Sequence, residues 1–456
     1  MADPRPATPT DLPLIIVAIA TCLALVVFTA PLTTLDAMTD ALGLSPGAQA
    51  WIMSGMPLGA ACGLLTAGAL GDTLGRRRTF VAGLWLTAAS SVAAALSVNG
   101  LMLIVMRVVQ GLGSAGIMAC GLGLLGQVYD GQARRRAAAV WAAALGAGVA
   151  VGPLIASGLL AVSGWTATHW AVAAVSAALA VMAMSRLPES DRTGDRVDIG
   201  GSVLLIAGLA CLMSALIEVR VGSTGLVTAL LIGAVVLLGL FWRIERRTGN
   251  PILALELFRY PDFSGATLAA FASGAGVLAL MSMVPTALVR GMGQSPMSAA
   301  VILLAWSGVT VVAALASGRL PERLTPRQRV IGAIAGCGVG QALMLAAGTG
   351  TSWAVVLPGL LIAGVSNGIL NASLGHEAVQ TVPPERAAMG SAANNTARYL
   401  GSALGIALIS VLIAQKSGAG TDFFDAWHAA VIASTAFSVL GVLAMLVVSR
   451  PRGVVR

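Results

Sequence analysis

The run Gly68-Ala69-Leu70-Gly71-Asp72-Thr73-Leu74-Gly75-Arg76-Arg77-Arg78 is a short polar loop between two long apolar segments. A related run, Gly318-Arg319-Leu320-Pro321-Glu322-Arg323-Leu324-Thr325-Pro326-Arg327, lies between two apolar segments 250 positions later. Glycine, leucine, an acid, leucine and arginine occupy the same places in both runs. A recurrence of this kind predicts a chain built from two similar halves.

A second recurrence lies inside the apolar segments. Gly148 and Gly152, four positions apart, are echoed by Gly401 and Gly405. Small residues at this spacing share one face of a helix and let a second helix approach closely. Because both recurrences fall at matching places, we predict two six-helix halves with a substrate cavity at their interface, near the bilayer midplane.

The composition places the chain in a membrane. Hydrophobic residues make up 57% of the chain, charged residues 10%, and the mean hydropathy is +0.88. A soluble globular protein carries about 25% charged residues, so most of this surface cannot face water. Windows of about 20 apolar residues, the length that crosses a bilayer, give fourteen candidate spans. They lie near residues 12–33, 51–70, 79–98, 100–123, 137–162, 167–185, 199–219, 225–242, 262–289, 297–317, 329–348, 353–374, 389–414 and 427–449.

The arginines between the spans predict the orientation. If both termini are cytoplasmic, the outer side receives only Arg220, Arg290 and Lys416, and nearly all other arginines fall inside. Such asymmetry follows the positive-inside rule. It does not distinguish fourteen spans from twelve, because a central hairpin leaves every later loop on the same side.

The predicted fold class is therefore all-α and transmembrane, with about 14 spans and both termini cytoplasmic. We predict an N-terminal six-helix bundle over residues 1–190 and a central linker with an inserted two-helix hairpin over 191–250. A C-terminal six-helix bundle follows over 251–456. The use of alanine, and of arginine over lysine, suggests a GC-rich bacterium, so we expect a multi-pass protein of the bacterial inner (plasma) membrane.

Several function classes are disfavoured. The net charge of +8 does not indicate a nucleic-acid partner, because the arginines form small clusters between spans, where they set topology and contact lipid headgroups. The cysteines and histidines are scattered without metal-ligand spacing, so we expect no metal and no other cofactor. No nucleophile–base set and no phosphate-binding loop appears, which argues against an enzyme.

These motifs resemble the major facilitator superfamily, specifically its fourteen-span drug:proton antiporter branch. The run Gly68 to Arg78 is similar to the signature between spans 2 and 3, and Arg107-Val108-Val109-Gln110-Gly111-Leu112-Gly113 is similar to the span-4 signature. Gly148-Val149-Ala150-Val151-Gly152-Pro153 is similar to the antiporter signature, and residues 383–401 resemble the branch's approach to span 13.

The resemblance implies a secondary-active exporter of drugs, antibiotics or toxic metabolites, exchanged for protons by alternating access. Its partners would be a small-molecule substrate, protons and the lipid bilayer, and we expect a monomer. The sequence departs from the branch at three places. Cys22 stands where the branch carries an acid in span 1, Thr73 replaces a basic residue, and Ala156-Ser157 replaces a glycine pair.

The resemblance assigns a gating role to Gly68, Asp72, Gly75, Arg76, Arg77 and Glu322. A carboxylate at Asp72 can pair with Arg76 or with the positive end of a nearby helix, and such pairs can lock the two halves in one state. The alternative is that this loop only determines topology.

Arg107 lies well inside a predicted span, where a charge costs at least ~2.5 kcal/mol. We therefore expect it to face a cavity or a partner, with Gln110 one turn later on the same face. The alternative is a structural arginine bonded to neighbouring carbonyls. The full set predicted for substrate contact or proton coupling is Arg107, Gln110, Asn367, Asn371, Glu377, Asn394 and Arg398.

Gly148, Gly152 and Pro153 are predicted to pack span 5 closely and to kink it, which the resemblance links to antiport. The proton carrier stays open: Asp72 or Glu377 can serve, the substrate itself can titrate, or coupling can be absent. The lack of acids at mid-span argues against a strongly cationic substrate and favours a neutral, anionic or zwitterionic one.

Other readings of the sequence remain. The same scaffold can serve a proton-independent or symport-type transporter of small solutes. A membrane enzyme would need the nucleophile–base set or the phosphate-binding loop that this sequence does not show. A receptor without transport would not need a central polar cavity.

Overall fold

The computed structural model describes residues 11–190, 198–218, 224–248, 251, 255–321, 323–380, 382, 387–417 and 423–448. The regular secondary structure over this part of the chain is helical, without strands. Twelve of these helices are long and apolar enough to cross a membrane, which agrees with the predicted all-α transmembrane class.

The first half of the chain forms seven helices. The break between α1 and α2 falls at Pro31, which lacks the N–H that a continuous helix would use. The side chains of Ser45 and Asn99 accept hydrogen bonds from Ala48 N and Met102 N, and so fix the starts of two helices. The bounds are α1 Leu12–Thr29, α2 Pro31–Leu42, α3 Pro46–Leu74, α4 Arg76–Ala95, α5 Gly100–Val128, α6 Gly131–Ser163 and α7 Thr166–Arg186.

The rest of the chain forms nine further helices within the described ranges. Two π-helical segments, Gly274–Leu278 and Ala287–Gly291, join and extend α10 and α11, so that Pro261–Gly291 is one membrane-length run. The bounds are α8 Ile199–Glu218, α9 Thr224–Glu245, α10 Pro261–Ser273, α11 Ala279–Thr286, α12 Pro296–Ala316, α13 Pro326–Leu343, α14 Leu357–Gln380, α15 Ala387–Ser417 and α16 Phe423–Val447.

Two of the fourteen predicted spans are not among the twelve membrane-length apolar helices. These two are α4, which begins with three arginines, and α8, whose apolar part is the shorter stretch Gly200–Leu216. Both are helical; the arginines at one end of α4 lower its tendency to cross a bilayer, whereas α8 as a whole, Ile199–Glu218, has the 20 residues that a span needs. The count of fourteen spans stays a prediction.

The sequence repeat corresponds to a repeated helix contact. A Cβ atom added to Gly148 in α6 would collide with the carbonyl oxygen of Cys22 in α1. A Cβ added to Gly401 in α15 would collide in the same way with the carbonyl oxygen of Phe271 in α10. In both places a glycine lets a later helix touch the backbone of the first helix of its predicted half.

The two predicted halves meet along two helix pairs, α3 with α15 and α6 with α12. On the first pair Ala50 and Ala407 are buried together. On the second, the Ser157 hydroxyl donates to the Pro296 carbonyl at 3.3 Å. Outside these two helix pairs, α8 packs on α3 and α15. The helix α9 packs on α8, and only 11% of the residues in its most apolar 18-residue stretch are buried. The boundaries at residues 190 and 250 remain predictions.

Candidate functional site

The junction between α3 and α4 is held by charged groups of the same half. The chain turns at Gly75, whose φ of +111° is a conformation that side chains other than glycine rarely adopt. One turn before it, the Asp72 carboxylate accepts from Arg76 Nη2 at 2.9 Å and from Nε at 3.1 Å. The structure thus contains the Asp72–Arg76 pair that the sequence suggested.

Glu189 and Ser190, just after α7, complete this junction. Glu189 accepts a hydrogen bond from the backbone N–H of Arg77 at 3.0 Å, and the Ser190 hydroxyl accepts from that of Arg76 at 2.8 Å. These bonds satisfy donors at the start of α4, and the Glu189 carboxylate also lies 3.5 Å from Arg77 Nε and 3.6 Å from Arg78 Nε. Neither residue was predicted from the sequence, although the acid followed by a serine at the end of a span was a usable signal.

The predicted gating set is only partly brought together. Asp72, Gly75, Arg76 and Arg77 share the junction, whereas a Cβ on Gly68 would meet nothing within 4 Å. Glu322, the acid of the second loop, lies outside the described residues. A lock between the two halves therefore stays a prediction.

A crevice of about 430 Å³ lies beside this junction. It is lined by Arg77, Arg78, Val81, Ala82, Trp85 and Met184. These residues belong to α4, α7 and the junction, so the crevice does not lie between the two halves.

Arg107 is fully buried in the N-terminal half, with 1% of its surface exposed. Its Nε donates to the Ile52 carbonyl at 3.2 Å, and its two terminal nitrogens donate to the Val27 carbonyl at 2.6 Å and the Phe28 carbonyl at 3.4 Å. The guanidinium thus ties α5 to α1 and α3. Bonds to neighbouring carbonyls are what the sequence analysis gave as the alternative for Arg107, that of a structural arginine. The role of Arg107 in transport stays a prediction.

Gln110 extends this network to two further helices. Its side-chain oxygen accepts from Arg107 at 3.1 Å, and its amide nitrogen donates to the Ser91 hydroxyl at 3.0 Å. The same nitrogen lies 3.4 Å from Nδ1 of His169, a residue of α7 that is 3% exposed. His169 was missed because nothing in its sequence surroundings links it to Gln110.

Arg398 is the centre of a second polar cluster, in the C-terminal half. Its guanidinium donates to the side-chain oxygens of Asn371 in α14 and Asn395 in α15, each at 2.9 Å. The Arg398 Nε is buried without a hydrogen-bond partner. One turn before Asn371, the Asn367 side chain is 2% exposed and its oxygen also has no partner within the described part of the chain.

Two other predicted residues are buried in the same predicted half. Asn394 donates to the Ala266 carbonyl of α10 at 3.2 Å, so it joins α15 to α10. Glu377 is 8% exposed, near the end of α14. The structure thus adds Asn395 to the predicted residues around Arg398, and the roles of Asn394 and Glu377 stay predictions.

An aromatic contact crosses the boundary between the halves beside Arg398. The rings of Phe28 in α1 and Tyr399 in α15 meet edge to face with centroids 6.5 Å apart. The Tyr399 hydroxyl donates to the sulfur of Met118 in α5 at 3.5 Å. The Arg398 guanidinium lies 5.6 Å from the Tyr399 ring centroid, within the range of a cation–π interaction.

An ion pair joins the halves at the end of the molecule predicted to be outside. Arg290, in the second π-helical segment, pairs with Asp36 of α2 through its Nε at 2.9 Å. Arg290 also donates to the side-chain oxygen of Gln49 in α3 at 3.3 Å. The two partners are 254 positions apart in the chain, so no local sequence pattern identifies this pair.

The predicted helix-packing motif lies where α6 meets α1 and α2. A Cβ on Gly152 would collide with the Thr29 hydroxyl. The carbonyl oxygen of Pro153 accepts from Thr33 at 3.2 Å and from Ser157 at 2.7 Å. Close approach and polar bonds together hold these helices, as small-residue packing predicts.

Known proteins are similar to this chain in sequence and in fold. A family model described as the Major Facilitator Superfamily matches residues 17–406. The chain is 30% identical over 397 residues to the tetracenomycin C resistance and export protein of Streptomyces glaucescens, covering 83% of this chain and 70% of that protein. It is also 30% identical over 374 residues to the drug efflux pump JefA of Mycobacterium tuberculosis, covering 81% of this chain and 73% of that protein.

A solved structure, that of an auto-inhibited POT family peptide transporter, superposes with a TM-score of 0.70. The alignment covers 98% of both chains at 15% sequence identity. At that identity the similarity concerns the fold alone.

Proposed function

The chain belongs to the Major Facilitator Superfamily, whose members are transporters and not enzymes, and from this premise we propose that it is a secondary-active exporter. The cargo is a drug, an antibiotic or a toxic metabolite, and protons move in the opposite direction by alternating access. The observation that carries the export assignment is the similarity to relatives named for drug efflux and antibiotic resistance and export.

The geometry supports alternating access. The two predicted halves touch along α3–α15 and α6–α12, and each contributes one polar cluster around an arginine, buried in the first half and half-buried in the second. A site whose two sides belong to separate bodies can open to either face when those bodies rock. In this scheme Arg398, Asn367 and Asn371 contact the cargo, Arg107 and Gln110 hold the first body together, and Asp72 with Arg76 controls the inner end.

The finer assignments are part of the same proposal. The chain belongs to the fourteen-span drug:proton antiporter branch and works as a monomer in a bacterial plasma membrane, with both termini cytoplasmic. Its halves are residues 1–190 and 251–456, and residues 191–250 form the inserted hairpin. The peripheral position of α9 supports an insertion.

One observation favours a second candidate, a transporter that does not use protons. Cys22 stands where the branch carries its span-1 acid, and neither Arg107 nor Arg398 forms an ion pair among the described residues. A buried carboxylate is the natural group to carry a proton through a membrane.

The first experiment is a growth-inhibition panel in an efflux-deficient bacterial host. We expect the wild-type chain to confer resistance to at least one compound and Asp72→Asn to lose most of it, because a neutral side chain no longer pairs with Arg76. Purified protein in liposomes with an imposed pH gradient then separates the two candidates. Efflux that follows the gradient supports exchange for protons, and efflux indifferent to it supports the second candidate.

A further inference from the structure

Two arginines, Arg107 buried and Arg398 half-buried, lie in opposite predicted halves near one aromatic contact. Arg107 is held by backbone carbonyls and an amide, and Arg398 by two amides. Among the described residues neither guanidinium forms an ion pair. Carbonyl and amide oxygens carry only partial charges, so they orient a guanidinium without neutralising it. Each of these two guanidinium groups therefore keeps its positive charge.

The two cations flank one aromatic contact. Phe28 offers its carbonyl oxygen to Arg107 and its ring to Tyr399, and the Arg398 guanidinium lies against the Tyr399 ring. Tyr399 also reaches across the boundary to the sulfur of Met118. The contact between the halves beside the two arginines thus consists of two aromatic rings and the sulfur of Met118, with a guanidinium on either side.

Of the two arginines, only Arg398 is arranged to change partner. Arg107 is enclosed by bonds within its own half, whereas the buried Nε of Arg398 has no hydrogen-bond partner among the residues that the structure describes. One turn before Asn371, the side-chain oxygen of Asn367 has none there either, and only 2% of that residue is exposed. A guanidinium offers parallel N–H groups that match a carboxylate in a bidentate arrangement.

We propose that the cargo is an aromatic compound with an ionised acidic group, and that Arg398 binds this group while the ring of the cargo takes the place of the Phe28–Tyr399 contact. This inference rests on the proposed transport function, since it specifies the substrate class of the same site. Asn367 and Asn371 then hydrogen-bond the polar substituents of the cargo. Arg107 supplies a fixed positive field that favours an anion over a neutral or cationic analogue.

The test uses three probes with the same ring and different charge: 2-naphthoate, 2-naphthamide and 2-naphthylmethylammonium. Their binding to the purified full-length protein in detergent is measured by isothermal titration calorimetry. We expect 2-naphthoate to bind at least about 10-fold tighter than the amide, and the ammonium probe to bind weakest.

Variants then assign the selectivity to Arg398. Arg398→Gln is expected to weaken 2-naphthoate binding by about 10- to 100-fold, to the level of the amide. Arg398→Lys keeps the charge without the planar fork, and is expected to retain the preference for the anion at lower affinity. Arg327→Gln is the matched control. This arginine also lies in the C-terminal half, but it donates to the backbone carbonyls of Met445 and Leu446, and its loss is expected to leave binding unchanged.

The proposal is overturned if the ammonium probe binds tightest, if the acid and amide bind equally, or if 2-naphthoate does not bind the wild-type protein. Unchanged 2-naphthoate binding by Arg398→Gln also overturns it. Failure of the transport function is read separately, from the growth panel. Resistance to cationic compounds with no anion preference removes only the substrate class, and anion binding without any resistance removes only the exporter assignment.

Discussion

Arg107 illustrates how a membrane protein accommodates a charge without a counter-ion. Its side chain is the second largest of those fully buried, and its bonds reach α1, α3 and Gln110. The carbonyls of Val27 and Phe28 lie just before the break at Pro31, near the end of α1. Carbonyls in the last turn of a helix have no partner within it, so the guanidinium satisfies groups that the interrupted helix leaves open.

Replacing Arg107 by glutamine removes most of these donors. We expect Arg107→Gln to abolish transport and to lower the stability of the protein by about 1–3 kcal/mol for each buried carbonyl left without a donor. The measurement is the apparent melting temperature of the purified protein, followed together with resistance in the growth panel.

Arg329→Gln is the control for this change. Arg329 also donates to two carbonyls, those of Leu324 and Pro321, but its bonds are exposed, so water can replace them. We expect a stability change within about 0.5 kcal/mol. If Arg107→Gln were as stable and as active as this control, the interpretation of Arg107 as the tie between α1, α3 and α5 would be wrong.

At the scale of elements, the α3–α4 junction shows that one motif can contain two unlike glycines. Gly75 has a positive φ, and a Cβ there would lie 2.5 Å from the Glu189 carboxylate. Gly68 is helical and has open space around it. Their similar appearance in the sequence hides a difference in backbone conformation.

Alanine substitution separates these two glycines. We expect Gly75→Ala to destabilise the protein by about 1–3 kcal/mol, because it strains the backbone and displaces the carboxylate that caps α4. Gly68→Ala is expected to keep the wild-type stability or to exceed it slightly. Thermal melting of both variants measures this, and equal effects would argue against the junction described above.

The helix α6 provides a second matched pair. Gly148 touches the backbone of α1, whereas a Cβ on Gly158 would meet only the terminal carbon of Met297 at 3.9 Å. We expect Gly148→Ala to cost about 1–3 kcal/mol through overpacking and to abolish transport. Gly158→Ala is expected to be neutral or stabilising by up to about 1 kcal/mol, since alanine favours helix.

The same substitution at Gly401 in α15 extends this test to the other half. Because its predicted clash is also with a backbone carbonyl, we expect Gly401→Ala to resemble Gly148→Ala in melting temperature. Full stability of Gly401→Ala, beside a destabilised Gly148→Ala, would mean that the two halves do not share this packing.

At the scale of the whole molecule, the halves touch at several levels. Asp36 and Arg290 form an ion pair near one end, Phe28 and Tyr399 meet beside the two cluster arginines, and Leu65 of α3 shares an apolar cluster with α15 and α8. An exposed ion pair contributes only about 0–1 kcal/mol, so such a contact can form and break during a transport cycle.

Cross-linking tests whether the contact at this end opens during transport. In a chain without other cysteines, Asp36→Cys with Arg290→Cys is expected to be joined by a short membrane-impermeant thiol cross-linker, with loss of transport that returns on cleaving the linker. Arg290→Cys alone is the control and is expected to keep most activity after treatment. Full transport by the cross-linked pair would show that this end does not need to open.

Much of the architecture was predictable because its signals are local. Hydropathy over 20 residues indicated the helices, and the prediction for α5 began at the residue where the structure begins it, Gly100. The π-helical segments and the break before Pro31 were not predicted, because hydropathy averaged over about 20 residues does not show where the hydrogen bonding of a helix changes. The site was less accessible to sequence reasoning, since Arg107 and Arg398 were identifiable as charges within predicted spans but their partners were not.

The amino-acid order alone required a bilayer, a set of long helices and a duplicated pattern of small residues, since each follows from local hydrophobicity or spacing. Only packing in three dimensions brought Glu189 to Arg77, His169 to Gln110 and Arg290 to Asp36, pairs that are 112, 59 and 254 positions apart. A helix fixes the neighbours of a side chain three and four positions away. The neighbours on other helices depend on how every helix is rotated and placed against the rest, which no local pattern contains.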